Sequence, residues 1–268
     1  MIFEVLISTM NRKDLTFLNP IFANNNINDF HILIVNQTRS NTILKSNEKH
    51  IRVINSYEFG LSKSRNIAIE NAIGDVCLIA DDDVQFVKGF DKIIKKTFLK
   101  FPDASIIKFK IDTFGPTKFK RYPSSSKRLL SRKDISGISS IEIAFKRRDI
   151  VRNKIYFNEN FGLGTDFPSG EEYLFLRKAL IKKLHMRFEN FFIVRHSLDF
   201  STNNMGSDKF IRTKAALYFI DYKEFAYLLL VKFILFLLIK KSIKISQFVD
   251  KFETGLHGIR HYKTLIST

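Results

Sequence analysis

Short apolar runs recur along the first part of the chain, and polar residues follow most of them. Runs without internal polar alternation are typical of strands that are covered on both faces. The predicted strands are Ile2–Ser8, His31–Asn36, Ile51–Asn55, Val76–Ala80, Ile106–Ile111, Ile138–Phe145 and Met186–Arg195. Between them, helices are predicted at Asp14–Phe22, Gly60–Ala72 and Phe90–Phe101. This alternation predicts an α/β fold with a mostly parallel sheet.

Beyond Asp208 the pattern changes to helix. Phe225–Ile239 is apolar around its whole circumference apart from Lys232, and lysines flank it on both sides. As a helix it would be roughly 22 Å long, which is short of the ~30 Å hydrocarbon core of a bilayer. A membrane span is therefore not expected. Two interpretations stay open: a helix buried in the domain or in an oligomer interface, and an in-plane anchor on anionic headgroups, which we favour.

The composition indicates which kinds of binding partner and which cellular compartment to expect. The 44 Lys and Arg against 27 Asp and Glu give a formal net charge of +17, which favours nucleotide phosphates, nucleic acid or anionic membranes as partners. A general bias toward Ile, Lys, Asn and Phe is the alternative explanation. Cys77 is the only cysteine, so an internal disulfide and a thiolate metal site are excluded. A reducing, cytosolic setting is the consistent inference.

Three consecutive carboxylates follow the apolar run Val76–Ala80. Ligands of open α/β sheets bind at the carboxyl ends of strands, so Asp81, Asp82 and Asp83 lie where a ligand would be held. Adjacent carboxylates repel one another, and a divalent cation is the simplest group that would make them mutually favourable. Oxygen ligands of this kind suit Mg²⁺ or Mn²⁺. The alternative is a solvated acidic turn.

Basic residues occur where phosphate groups could bind. The helix predicted at Gly60–Ala72 carries Lys63 and Arg65 in its first turns, where they would add cations to the free N–H groups of a helix N-terminus. The alternative to phosphate binding is that these basic residues simply lie on a solvated helix start. The basic segment Thr113–Lys133 is predicted to be a long loop that could contact an anionic acceptor or lipid headgroups, with a plain mobile loop as the default.

A second set of candidate residues lies after residue 160. Three glycines make the segment 162–170 a loop able to adopt unusual backbone angles. Glu171 and Glu172 then open a helix, and ionised carboxylates beside such a loop are suitable general bases, although ordinary helix-start acids are the alternative. His196 follows the strand Met186–Arg195, which could bring it to the sheet edge that holds the acids. The alternative is that His196 is a structural residue whose hydrogen bonds are satisfied within the protein.

Taken in order, several segments resemble glycosyltransferase family 2, the inverting enzymes of the GT-A fold. They are ISTMNR after the first strand, GLSKSRNIAIENAIGD leading into CLIADDDV, IEIAFKRRDI, FGLGTDFPSGEEYLFL and a late RH pair. The resemblance implies a GT-A, Rossmann-like mixed sheet flanked by helices over residues 1–200. A helical C-terminal extension, with a membrane contact as its expected role, would follow over residues 201–268.

The resemblance also implies roles for residues at matching positions. The three acids fall on the family's DxD motif, which binds the donor's ribose and a divalent metal, Mn²⁺ or Mg²⁺, that bridges its diphosphate. Glu172 falls on the position of the family's catalytic base. The donor-binding residues implied are Thr9, Asn36, Arg65, Asp81, Asp82 and Asp83. The metal ligands implied are Asp81, Asp83 and His196.

The implied activity is metal-dependent transfer of a sugar, with inversion, from a nucleotide-sugar donor to a hydroxyl of a saccharide or lipid-linked glycan. A UDP-sugar is the expected donor, and synthesis of a surface polysaccharide is the expected context. The expected location is cytoplasmic, peripheral on the inner face of the cell membrane, with the C-terminal helix on its anionic surface. No nucleic-acid partner is expected, and homo-oligomerisation is left open. The alternative is a basic membrane- or nucleic-acid-binding protein that is a catalytically inactive relative.

Overall fold

The computed structural model describes residues 1–39, 43–197 and 205–267. The chain forms two compact units. The first consists of Met1–Glu159 and Glu171–Leu198, and the second of Asn160–Gly170 and Asp199–Thr268. The glycine-containing loop predicted at 162–170 therefore belongs to the same unit as the C-terminal helices.

A nine-stranded mixed sheet forms the centre of the first unit. Its strands are β1 (Phe3–Met10), β2 (His31–Gln37), β3 (Ile51–Ser56), β4 (Val76–Asp81), β5 (Gln85–Phe86), β6 (Ile106–Asp112), β7 (Lys127–Arg128), β8 (Ile143–Lys146) and β9 (Met186–Arg195). The spatial order is β3-β2-β1-β4-β8-β6-β9-β5, and β7 pairs with another part of β9. Strands β1 to β4 are parallel, whereas β8 runs antiparallel to both of its neighbours.

Helices cover both faces of this sheet, which confirms the predicted α/β class. They are α1 (Leu18–Ile21), α2 (Leu61–Asn71), α3 (Phe90–Lys100), α4 (Arg132–Ile135), α5 (Arg147–Arg152) and α6 (Glu171–Ile181). Successive strand residues enter different cores: Val5 and Ile7 belong to one buried cluster and Leu6 to the other. The apolar runs are therefore buried on both sides, as their lack of polar alternation predicted.

Two predicted elements are shorter than expected. The helix predicted over Asp14–Phe22 is reduced to the single turn Leu18–Ile21, because Pro20 has no N–H to donate and Asp14 accepts a hydrogen bond from the N–H of Thr16 in a preceding turn (2.9 Å). The strand predicted over Ile138–Phe145 begins only at Ile143, since a reciprocal cap turns residues 140–142 into a 3₁₀ helix.

The basic segment predicted as a long loop is held to the sheet. Lys120 binds the carboxylate of Glu142, which is fully buried, and the carbonyl oxygen of Gly137 (2.7 Å). The Tyr122 hydroxyl donates to the same carboxylate (2.9 Å) and accepts from the N–H of Ile111 (2.9 Å). Burial raises the pKa of Tyr122, which keeps its hydroxyl a donor. A plain mobile loop is therefore the wrong description of this part of the segment.

The second unit contains three longer helices, α7 (Asp208–Tyr222), α8 (Ala226–Ile239) and α9 (Phe248–Ser267). Glycines on α9 let these helices approach closely. A Cβ atom at Gly255 would lie 2.4 Å from Leu230 of α8, and one at Gly258 would lie 2.5 Å from the carbonyl oxygen of Arg212 of α7. Substituting either glycine would therefore force the helices apart.

Helix α8 is buried on one side only. Leu230, Ile234 and Leu237 are fully buried, whereas Leu228 is 68% exposed and Ile239 is 79% exposed. The buried side of α8 is consistent with a helix packed in the domain. Its exposed apolar side is consistent with an in-plane membrane anchor or an oligomer interface. Within the described ranges, no helix has the length and apolar character needed to cross a membrane.

Candidate functional site

Polar side chains lie in register at the carboxyl ends of the parallel strands. Thr9 of β1 pairs with Asn36 of β2, and Asn36 pairs with Asn55 of β3. On the other side of β1, Ser8 pairs with Asp81 of β4. Thr9 and Asn36 are buried, and Asp81 is partly exposed. The sheet therefore brings three of the predicted site residues to one edge, where open α/β sheets bind their ligands.

Asp82 is held by the loop that follows β1. The Arg12 guanidinium donates to Asp82 Oδ2 from Nη2 (2.7 Å) and from Nε (3.1 Å), and the Thr9 hydroxyl donates to the same oxygen. Arg12 also lies over the ring of Phe17, 4.9 Å from its centroid. Stacking and ion pairing together fix the guanidinium at the sheet edge.

Asn36 fixes the backbone of this loop. Its Oδ1 accepts from the N–H of Arg12 (3.0 Å), while its Nδ2 donates to the carbonyl of Arg12 (3.1 Å) and to Asn55 Oδ1 (3.0 Å). Asn36 is fully buried, and both of its amide hydrogens are engaged by these contacts. Its position at the predicted edge is as expected, and its clearest effect is to hold Arg12 in place.

Arg65 of α2 joins the acidic end of β4 to the start of α6. Its side chain is 3% exposed. Nη2 donates to Asp81 Oδ1 (3.0 Å) and Ser140 Oγ (2.7 Å), and Nη1 donates to Glu171 Oε1 (3.3 Å) and Glu172 Oε1 (3.4 Å). Burial disfavours the charged guanidinium, but the three carboxylates outweigh burial and raise the pKa of Arg65. Arg65 is thus a permanent buried cation shared by two predicted centres.

The two glutamates that open α6 differ in environment. Glu171 is 6% exposed in its side chain and Glu172 is 18% exposed. Burial, and then the charge of Glu172, raises the pKa of Glu171, although Arg65 opposes this. Glu171 Oε2 is buried and has no hydrogen-bond partner among the described residues. Glu171 is therefore the member of the pair that holds a proton more readily, and Glu172 is the more accessible carboxylate.

Asp83 and His196 form a separate pair. His196 Nε2 lies 3.4 Å from Asp83 Oδ2, and Nδ1 lies 2.6 Å from the carbonyl oxygen of Ser197. Hydrogen bonding to Asp83 raises the pKa of His196, and the same contact lowers the pKa of Asp83. The strand β9 has brought His196 to the acidic turn, as its place in the sequence suggested.

This pair fits part of a divalent-metal site. A carboxylate oxygen and an imidazole nitrogen are donors that Mn²⁺ accepts, and their separation suits neighbouring ligands of one ion. The Nδ1 contact with a carbonyl leaves Nε2 as the ligating nitrogen, which is the usual arrangement in metal sites. Asp81 is turned toward Arg65, and no three His, Cys, Asp or Glu side chains in the described part of the chain are grouped to hold a metal. Water and a bound substrate could supply the further ligands.

The repulsion between the three adjacent acids is therefore relieved by three different protein groups. Arg65 binds Asp81, Arg12 binds Asp82 and His196 lies beside Asp83. One divalent cation, the group expected from the sequence, would serve the same purpose. The structure supplies another physical reason for three adjacent acids, because each is directed to a separate partner.

Three participants were missed as site residues by the sequence reasoning: Arg12, Asn55 and Ser140. Arg12 and Asn55 carried a usable signal, since both stand at or just after the end of a parallel strand. Ser140 carried no such signal, and Glu171 was expected as a candidate base and not as a partner of Arg65. The contacts of Ser140 and Glu171 with Arg65 connect positions 75 and 106 residues apart.

The comparison with protein-family models gives a match over the first part of the chain. The family model described as "Glycosyl transferase family 2" matches residues 5–169, a range that includes both arginines and all three acids. The comparison with curated protein sequences found no match.

Solved structures of S. aureus TarS resemble this fold. The structure of TarS 1–349 has a TM-score of 0.59 at 14% identity, covering 97% of this chain and 81% of that one. Its complex with UDP-GlcNAc has a TM-score of 0.56 at 14% identity, with coverages of 97% and 82%. For a longer TarS structure the TM-score is 0.56 at 17% identity, and this chain spans 46% of its length. At these identities the likeness shows the fold alone, and it confirms the GT-A expectation.

Removing the shared cation tests the site's dependence on Arg65. We expect Arg65→Gln to lower the free energy of unfolding by about 3–5 kcal/mol, because it leaves buried carboxylates without a counter-charge. The loss should shrink as the pH falls, since the carboxylates take up protons, beginning with Glu171, whose pKa burial raises to about 8. Urea unfolding at a series of pH values measures both effects. Arg148→Gln is the matched control, because Arg148 is 85% exposed; an equal loss in both variants would contradict the prediction.

Proposed function

The chain belongs to glycosyl transferase family 2, and on that premise we propose that it transfers a sugar from a UDP-sugar to a hydroxyl of a saccharide or lipid-linked glycan, with inversion. The observation that carries this proposal is the connection of the acidic strand end to the α6 glutamates through Arg65. Through these contacts Arg65 connects Asp81, at the proposed donor-binding edge of the sheet, to Glu172, the candidate base.

The donor assignment draws on the strand-end residues and on the TarS structures. TarS has been solved in complex with UDP-GlcNAc and with UDP, and we carry the uridine nucleotide over to this chain as a proposal. Asp82 would line the nucleoside side of the site, and the buried residues Thr9 and Asn36 would hold Asp82 and the Arg12 loop in place. Arg12, missed in the sequence, would contribute positive charge near the diphosphate because its guanidinium lies at the same edge.

Asp83 and His196 would hold a divalent ion, Mn²⁺ or Mg²⁺, with Asp81 as a further candidate ligand. When bound there, such an ion would supply positive charge that stabilises the departing nucleoside diphosphate. Arg12 and Arg65 contribute to the same electrostatic field from the protein side.

Glu172 would act as the general base. Its carboxylate accepts the proton of the acceptor hydroxyl while the hydroxyl oxygen forms a bond to the anomeric carbon. The bond from that carbon to the diphosphate oxygen breaks on the opposite face, so the electron pair leaves with the nucleoside diphosphate and the configuration inverts. Arg65 orients the base through its 3.4 Å contact. Because burial favours the protonated form of Glu171, Glu172 is the member of the pair that is available to accept a proton.

We propose that this activity takes place in the cytoplasm, on the inner face of the cell membrane, in the synthesis of a surface polysaccharide. The exposed side of α8 supports the membrane contact. Phe225 is 74% exposed, Ile239 is 79% exposed, and Lys240 and Lys241 follow directly. Apolar side chains next to lysines are the pattern of helices that lie on anionic bilayers.

Donor choice and metal dependence can be measured together. We expect UDP, and not GDP or CMP, to raise the thermal unfolding temperature, and Mn²⁺ to increase that shift, since a ligand that binds only the folded state stabilises it by mass action. Asp83→Asn should keep the shift with UDP alone and lose the increment that Mn²⁺ adds. An unchanged increment in Asp83→Asn would remove this residue from the metal site. No shift with any nucleotide would favour an inactive relative.

If Glu172 is the general base, replacing it should slow turnover without weakening donor binding. In Glu172→Gln we expect kcat to fall by about 10²–10⁴, the usual contribution of a general base, while UDP affinity stays within a factor of about two. UDP release from the donor, measured with a panel of free mono- and disaccharides as acceptors, gives the rate. Glu171→Gln and the exposed Glu70→Gln are the comparison variants. If Glu171→Gln loses transfer and Glu172→Gln does not, Glu171 is the base.

Membrane contact is tested by co-sedimentation with vesicles. We expect the full chain to sediment with vesicles that contain phosphatidylglycerol and to remain in solution with pure phosphatidylcholine. The double variant Phe225→Ser, Ile239→Ser should weaken sedimentation because it removes the exposed apolar contacts. Leu99→Ser, at a residue of α3 that is 71% exposed, is the control. Equal binding by all variants would assign the attraction to net charge alone.

A further inference from the structure

A second concave site lies entirely within the unit formed by Asn160–Gly170 and the C-terminal helices. It is a cavity of about 320 Å³, which falls in the size range of small-ligand pockets. The residues that line it and carry the argument are Asp166, Phe167, Lys209, Arg212, His257 and His261. We call it the α7–α9 pocket.

Helix geometry explains why these side chains meet. Lys209 and Arg212 are three residues apart on α7, and His257 and His261 are four apart on α9, so each pair lies on one helix face. Gly258 of α9 allows a close approach, since a Cβ atom there would lie 2.5 Å from the carbonyl oxygen of Arg212. The two faces therefore converge on one cavity.

The α7–α9 pocket has an excess of positive charge. The side chains of Lys209 and Arg212 make no hydrogen bond or ion pair with any described residue, and Arg212 Nε is buried without a partner among them. Asp166 is the one carboxylate in the lining, and it contacts His261 Nε2 (2.9 Å). The neighbouring Asp208 is bound by Lys251 (2.7 Å). Two permanent cations against one carboxylate favour an anionic ligand over a metal cation.

One wall of the pocket is aromatic and fixed. Phe167 is 1% exposed and stacks on Phe161, with ring centroids 4.8 Å apart. The ring of Phe161 meets Tyr262 of α9 at 5.8 Å, and Phe167 lies 5.6 Å from His261. An apolar wall beside two cations suits a ligand that has both a carbon face and a charged group, as a phosphorylated sugar or polyol does.

We propose that the α7–α9 pocket binds a phosphate ester of a small carbon-rich molecule, such as a phosphorylated sugar or polyol. Arg212 supplies a planar fork that can bind two phosphate oxygens, and Lys209 supplies a compact charge beside it. This binding does not depend on the proposed transferase function.

The test uses glycerol 3-phosphate and inorganic phosphate as probes, titrated calorimetrically into the full chain. We expect Arg212→Gln to weaken glycerol 3-phosphate binding at least tenfold, about the effect of losing one charge-assisted contact. Lys209→Gln should weaken it by a smaller factor, and because Lys209 is exposed this variant keeps its fold if Arg212→Gln does not. Arg260→Gln removes the same charge from α9 outside the pocket and should have no effect. UDP affinity should be the same in all four proteins.

Two results would overturn the proposal. The first is equal phosphate affinity in the wild type and both pocket variants. The second is loss of binding to phosphatidic acid vesicles in the pocket variants while glycerol 3-phosphate affinity is unchanged, which would assign the site to a lipid headgroup. A wild type that binds no UDP would refute the transferase function alone, and the phosphate titration would still decide the pocket.

Discussion

The buried guanidinium of Arg65 is the contact on which the candidate site depends. It brings the end of a central strand and the start of a helix to a common cation, although these lie far apart in the sequence. Four oxygens from four residues surround it: Asp81, Ser140, Glu171 and Glu172. A lysine could not replace it with the same geometry, because a compact ammonium lacks the planar fork that reaches separate acceptors. Burial makes each of these contacts stronger and makes the loss of any partner costly.

Charge at the sheet edge is balanced locally by protein groups. Each of the three consecutive acids has its own partner, and those partners come from α2, from the loop after β1 and from the end of β9. The site is therefore arranged before any ligand binds, which is the condition for electrostatic stabilisation of a reaction. The same arrangement leaves Asp83 as the most exposed of the three acids, with 66% of its side chain accessible.

The glycine-containing loop has a defined conformation in its own unit. Gly162, Gly164 and Gly170 all have positive φ values, as the sequence predicted from their number and spacing. The ring of Phe167 fixes the middle of the loop against Phe161, and the Thr165 hydroxyl donates to the carbonyl of Gly162 (2.8 Å). Because aromatic packing and hydrogen bonds hold it, the loop presents Asp166 and Phe167 as fixed walls of the α7–α9 pocket.

The sequence by itself determined the strands, the main helices and the edge at which the site lies. Hydrophobic runs encode burial locally, and the residues at the ends of parallel strands must share an edge, so Thr9, Asn36 and Asp81 could be placed without coordinates. Only the tertiary structure decided which charges meet. A solvated helix start, one of the two interpretations of Arg65, is wrong, because its side chain is buried among carboxylates. Contacts between residues about a hundred positions apart depend on how the elements pack, and no local pattern records them. The same holds for Lys209 and Arg212, whose pocket exists only because Gly258 lets two helices approach.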